Sequence, residues 1–280
     1  MGKQPLWMIS AGHLAGLSSL VLGAWLVATG AVSAWWLSAW APLHVVGLLM
    51  LSVGLHRYFS HGAFKTTRAW HNFMALYSVL LLNGSPHGWA VAHSAHHVHS
   101  DTDRDPHIAD WTYMVWKRYR GAPMTTRSLR RLAGDPMTAF VHRQGLPLWL
   151  AFTAVMLAVS PTLYLFAYLM PLGSVHLVGA IHQLISHRGG GPRELGLMEF
   201  IVPAAGEWLH KSHHDHPGQA ADLLLHRLAA LGLAEVLAVR AEPGQAYGPA
   251  LRGFAWIDIP HALAQVHGLR VVGLVHGHGF

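Results

Sequence analysis

Charged residues are absent from two long stretches of the chain. No Lys, Arg, Asp or Glu occurs from Gln4 to His56 or from Gln144 to His187, so all 19 basic and all 13 acidic residues lie elsewhere. A helix that crosses a bilayer needs about 20 mostly apolar residues, and each stretch holds two such lengths. Trp35, Trp36, Trp40 and Pro42 interrupt the first stretch, and Pro171 to Ser174 interrupt the second. Trp is favoured at the membrane–water interface, and Pro ends helices. The pattern predicts an all-α integral membrane protein with four transmembrane helices in two hairpins, at about 6–33, 41–56, 146–170 and 172–187. Gly and Ala recur along the first two, as close helix packing in lipid favours.

The polar segments 57–145 and 188–240 then form a cytoplasmic helical cap, and one membrane domain covers 1–240. Within the cap, Trp70 to Leu82 reads as an interfacial or re-entrant helix broken by Asn83-Gly84-Ser85-Pro86. Leu223 to Val239 reads as an amphipathic segment, and 241–280 as a surface tail holding His261, His267, His276 and His278. The hairpin tips carry no charge, so every Lys and Arg falls on one side together with both termini. The positive-inside rule makes that side the cytoplasm, across the inner or plasma membrane if the chain is bacterial. Lys3 before an apolar run has the form of a signal peptide, but a second apolar run follows at once, which favours a retained hairpin. The net charge of +6 comes without any nucleic-acid-binding motif. Anionic membrane lipids are therefore the expected counter-charge, and no nucleic-acid partner is expected.

With no cysteine in the chain, disulfides, iron–sulfur clusters and thiolate zinc sites are excluded. Histidine is plentiful and clustered. His93, His96 and His97 are spaced i, i+3, i+4, which on a helix directs three rings from one face. His210, His213 and His214 repeat that spacing, and His56 and His61 add a pair. That pair is five residues apart, about 140° around an ideal α-helix, so either the helix end loosens or the two rings serve different sides of a site. Eight histidines exceed what one metal takes, which implies two metals. Imidazole suits iron, copper and zinc alike, but a site at the mouth of an apolar bundle suits oxygen chemistry on a hydrocarbon chain, and that needs a redox metal. Asp101, Asp103, Asp105 and Asp110 follow the central cluster, where carboxylates can orient ligand imidazoles. His13 and His44, inside the spans, read as structural. A non-catalytic metal-binding or transport protein is a separate reading, but transport would predict polar ligands deep in the spans, and nearly all of these sit at one mouth.

The pattern HxxxxH, HxxHH, HxxHH resembles the membrane fatty acid desaturases, and its context resembles their stearoyl-CoA desaturase branch. Three blocks carry the resemblance: His56-Arg57-Tyr58-Phe59-Ser60-His61 with Phe64-Lys65; Trp89 and His93 to His97 with Ser100-Asp101-Thr102 and Asp105-Pro106-His107; and Gly206-Glu207-Trp208-Leu209-His210-Lys211-Ser212-His213-His214. It implies an O2-dependent enzyme with two iron ions that introduces a C=C bond into a fatty acyl chain, or a hydroxylase or acetylenase of the same superfamily. The ligands it implies are His56, His61, His93, His96, His97, His182, His210, His213 and His214, with His182 the ninth, on the fourth span. It further implies that Asp101 and Glu207 orient ligands, and that Trp89, Lys117 and Arg118 contact substrate. Electrons are expected from a separate donor such as ferredoxin, rubredoxin or cytochrome b5.

Two positions depart from the family pattern. Where the animal enzymes place Arg-Asp to hold CoA, this chain has Val91-Ala92, and where an Asn often stands four residues before the ninth histidine, Val178 stands before His182. The acyl carrier is left open among acyl carrier protein, CoA and phospholipid, with the first and last favoured over CoA. The segregation of charge yields a test of topology. A reporter fused after Trp40 is expected on the opposite side of the membrane from one fused after Phe280, and the same side for both overturns the hairpin arrangement.

Overall fold

In the computed structural model the described residues are 7–107, 110–116, 132–195, 207, 210–217 and 235–236, all within the first of the chain's two units, Met1–Val239. Lys117, Arg118, most of Leu223 to Val239 and the tail 241–280 lie outside the described residues. Helix α1 spans Trp7–Ala28. Its buried face is made of Gly12, Gly16, Ser19 and Gly23, spaced 4, 3, 4 so that they fall in one line. Large apolar side chains, Val21, Leu22 and Trp25, are exposed on the other faces.

Helix α2 runs without interruption over Ala34–His61, through a 3-10 turn at Ala34–Trp36, an α-helical stretch Leu37–Leu49 and a π-helix Met50–His61. Gly62, at φ +62°, ends it, a left-handed conformation that glycine adopts without steric cost. Two-residue strand β1 (Phe64–Lys65) pairs antiparallel with β2 (Glu235–Val236). That pairing is two residues long, and the described residues are otherwise mostly helical, in keeping with the all-α expectation. Helix α3 (Arg68–Leu81) follows, capped by Thr67. Leu82 at φ +48° and Gly84 at φ +98° then turn the chain into α4 (Pro86–His99), whose N-cap is Ser85. A short α5 (Trp111–Trp116), α6 (Pro136–Val159), α7 (Pro161–Ser186) and α8 (His210–Asp215) complete the described helices.

Three helices are long and apolar enough to cross a bilayer: α1, α2 and α7. Helix α6 falls outside that set, with His142, Arg143 and Gln144 in its sequence. The second hairpin differs from the expected boundaries of 146–170 and 172–187. Its break is at Ser160, which is extended (φ −170°, ψ 120°) and caps α7 through its hydroxyl, with Pro161 as the first helical residue. Pro171 does not break α7. A π-helical stretch, Leu165–Leu169, precedes it, and the Met170 N–H reaches the Leu165 carbonyl five residues back. The wider turn takes up the irregularity that proline's missing N–H and bulky ring introduce.

The closest backbone approach is between α1 and α7. A Cβ on Gly16 would lie 2.5 Å from the Gly173 Cα, and one on Gly173 would lie 2.1 Å from the Gly16 carbonyl oxygen. Gly47 of α2 likewise meets Val175 of α7. Where lipid supplies no hydrophobic drive between helices, backbone proximity of this kind makes the contact. Gly16→Ala is therefore expected to cost about 1–3 kcal/mol through overpacking, read as a lower melting temperature in detergent. Gly134→Ala, at a site with no atom within 4 Å of the added Cβ, is the control and should melt like the parent.

Candidate metal centre

The π-helix settles the spacing of the first histidine pair. In a π-helix the backbone bond runs from i to i+5, so residues five apart share a side, and the rings of His56 and His61 are 5.0 Å apart. Helix α4 presents His93, His96 and His97 from one face, and α8 presents His210, His213 and His214. Nine histidines from these elements and the end of α7 form two groups. His56, His61, His93, His97 and His213 make one, and His96, His187, His210 and His214 the other; within each, one ligand atom per residue lies within 4.8 Å of all the rest. The groups adjoin, with the His97 and His214 rings stacked at 4.2 Å.

His182 lies outside both groups. Its ring is 4.9 Å from that of His210, and its Nε2 is 3.4 Å from the Glu207 carbonyl oxygen. His187, five residues further along at the C-terminal end of α7, completes the group of four. Counting four back from His187 reaches Gln183 instead of Val178. Gln183 is buried, and its amide donates to the His107 carbonyl at 3.4 Å.

The nitrogens of these rings point at one another. Nε2 of His56 is 2.7 Å from Nε2 of His213, that of His93 is 2.8 Å from His61 and 2.9 Å from His97, and that of His210 is 2.8 Å from His187. Each such pair needs a proton or a cation between two lone pairs. Burial, the largest cause, pushes the imidazoles of His93, His97, His210 and His213 well below their ordinary pKa and His214 to about 2, and neighbouring histidines add to it. The neutral form is the one that ligates metal. Buried Nε2 atoms of His96 and His214 have no hydrogen-bond partner among the described residues. The donor set thus fits two cations bound through imidazole.

Carboxylates hold the far side of these rings. Glu207 accepts from His56 Nδ1 at 2.8 Å, from Ser52 Oγ at 2.7 Å and from Arg57 Nη2 at 3.1 Å. Burial raises its carboxyl pKa, but Arg57, His56 and His182 outweigh this and hold it well below the usual range. Asp101, at φ +61°, accepts from His187 Nδ1 at 2.9 Å. Asp105 accepts from His96 Nδ1 at 2.9 Å and from the backbone N–H of Asp101 and of His107. Such partners fix ring orientation and tautomer. Asp105 and the fully buried Arg57, which also lies 3.0 Å from His213 Nδ1, contact the candidate ligands in a way that the spacing of histidines alone does not reveal.

A cavity of about 90 Å³ adjoins the histidines. Leu48 and Leu51 of α2, Val178 of α7, Trp89 and Tyr113 line it together with His56, His93 and His96. The expected substrate contact Trp89 thus borders the centre, its ring parallel to His93 at 6.0 Å.

No protein-family model matches the chain. Among curated proteins it is 26% identical over 183 residues to an sn-1 stearoyl-lipid 9-desaturase of Anabaena variabilis, covering 61% of this chain and 67% of that one. It is 24% identical over 250 residues to an sn-2 palmitoyl-lipid 9-desaturase of Nostoc sp., covering 76% and 87%. It is 26% identical over 200 residues to the stearoyl-CoA desaturase of Bos taurus, covering 62% and 55%. The carboxylate contacts yield a prediction. Asp105→Asn should weaken metal retention in the group of four on the order of 10-fold or more, measured as faster release to a chelator, and unchanged release would show that His96 needs no anionic partner.

Proposed function

We propose that this chain, a sequence relative of the fatty acid desaturases, is an O2-dependent di-iron desaturase that introduces a C=C bond into a lipid acyl chain. The observation that carries this reading is the pair of convergent histidine groups at the inner end of a cavity between two membrane-capable helices. In this reading His56, His61, His93, His97 and His213 hold one iron, and His96, His187, His210 and His214 the other. His182 keeps its bond to the Glu207 carbonyl. Two irons, when bound, supply the redox chemistry and O2 reduction that dehydrogenating unactivated carbons requires.

The protein's part is to orient and to exclude water. Leu48, Leu51 and Val178 offer an acyl chain an apolar wall that ends at His56 and His93, with Trp89 and Tyr113 closing it. Glu207, Asp101 and Asp105 keep the imidazoles in the tautomer that presents Nε2 inward. Gln183 offers a side-chain amide beside the group of four. We read α6 as a fourth span, since its charge-free part carries exposed Leu150, Val155 and Val159. The histidine groups then face the cytoplasm, within one domain over 1–240. Electrons come from a separate ferredoxin, rubredoxin or cytochrome b5. Val91 and Ala92 offer CoA neither charge nor hydrogen bond, which favours an acyl carrier protein or phospholipid as carrier, with Lys117 and Arg118 pairing its phosphate.

The test is acyl-chain profiling by mass spectrometry after expression in a desaturase-deficient host, alongside iron analysis of the purified protein. The expected outcome is a new monounsaturated chain, about two irons per chain, and no product from His96→Ala. A hydroxylated product, or none from membrane-inserted and iron-loaded protein, overturns the assignment.

A further inference from the structure

The π-helix that aligns His56 with His61 is itself fastened from its far side. Tyr58, two residues on from His56, projects away from the ligand face. Its hydroxyl is 3.0 Å from Nδ1 of His71 on α3. The other nitrogen of that ring, Nε2, lies 2.9 Å from Asp135 Oδ1. Asp135 is in turn the N-cap of α6, accepting from the Thr138 N–H at 2.8 Å, and its second oxygen pairs with Arg68. With the carboxylate accepting from Nε2–H, Nδ1 is left bare to accept from the Tyr58 hydroxyl, so one tautomer satisfies every link. His71 is buried, and its ring also packs edge-on against Tyr58 and Phe59.

The register needs such a tie. A π-helix is rare beyond a single turn, and this one runs for 12 residues. In the α-helical register, open to the same sequence, His56 and His61 would diverge by about 140°, and one of them would leave the group of five. Tyr58 would leave His71 in the same movement.

We propose that Tyr58, His71 and Asp135 form a hydrogen-bonded brace that holds α2 in its π register, making them positioning residues for the five-histidine metal position and not for the four-histidine one. This rests on the reading that both groups hold metal. None of the four ligands His96, His187, His210 and His214 lies on α2, so the two positions should respond differently.

The experiment measures chelator-driven iron release from purified full-length protein, with melting of the metal-free protein recorded in parallel. In Tyr58→Phe, which removes one oxygen and keeps the ring, one iron per chain should leave on the order of 10-fold faster while the other leaves as in the parent. His71→Ala should do the same, and the double variant should add nothing to either single one, since both cut the same chain of bonds. Tyr58→Phe combined with Asp105→Asn should release both irons fast. Parental release from Tyr58→Phe overturns the brace. Equal acceleration of both irons together with a lower melting temperature also overturns it, because that is the signature of general destabilisation. A parent protein that takes up no metal overturns the reading beneath, and the inference with it.

Discussion

Imidazole nitrogens packed 2.7–2.9 Å apart in a buried site repel unless a hydrogen or a cation lies between them, and burial disfavours the charged imidazolium, leaving neutral rings able to ligate. Much of the histidine-bearing part of the molecule is arranged around that demand. The ends of α2 and α7 converge there with α4 and α8, and acids placed behind the His56, His96 and His187 rings hold the unused nitrogen of those three. Arg57, wholly buried, is tolerated because Glu207 lies against it. Removing either partner would leave an uncompensated charge, the costly case for a buried pair.

The membrane part serves the same centre by different means. Close approach of α1 and α7 through Gly16 and Gly173 makes α7 a buried rod, and its last turn delivers His187. Two π-helical stretches adjust the rods where plain α geometry would misdirect them. One lets Pro171 sit inside α7, and the other brings His56 and His61 to one side of α2.

Much of this was legible in the sequence, for physical reasons. Absence of charge marks membrane-capable helices because the cost of burying charge in lipid is large, and the i, i+3, i+4 spacing of His93, His96 and His97 can mean one helix face. The wide turns were not legible, since nothing in Met50–His61 encodes an i to i+5 bond. Pro171 therefore read as a hairpin tip, although Ser160-Pro161 carried the better signal, a capping hydroxyl followed by a first-turn proline. His182 and His187 both belong to the end of one helix, but five residues separate them in depth and in direction: the first stops at the Glu207 carbonyl, while the second reaches Asp101. Asp105 was visible as one of four acids, but which acid meets which ring depends on the turn after His99, where Asp101 takes a left-handed conformation.

The order in which the ligands occur along the chain bears on how the protein is made. Each histidine group includes a member of α8, His213 in one and His210 with His214 in the other, so one is complete only at residue 213 and the other only at residue 214. By then all residues of α1, α2 and α7 have already been synthesised. Metal cannot nucleate this fold as zinc does in small finger domains. On the di-iron reading, metallation closes a framework whose membrane-capable helices are already made, and a cell starved of metal would accumulate inserted, empty protein instead of unfolded chains.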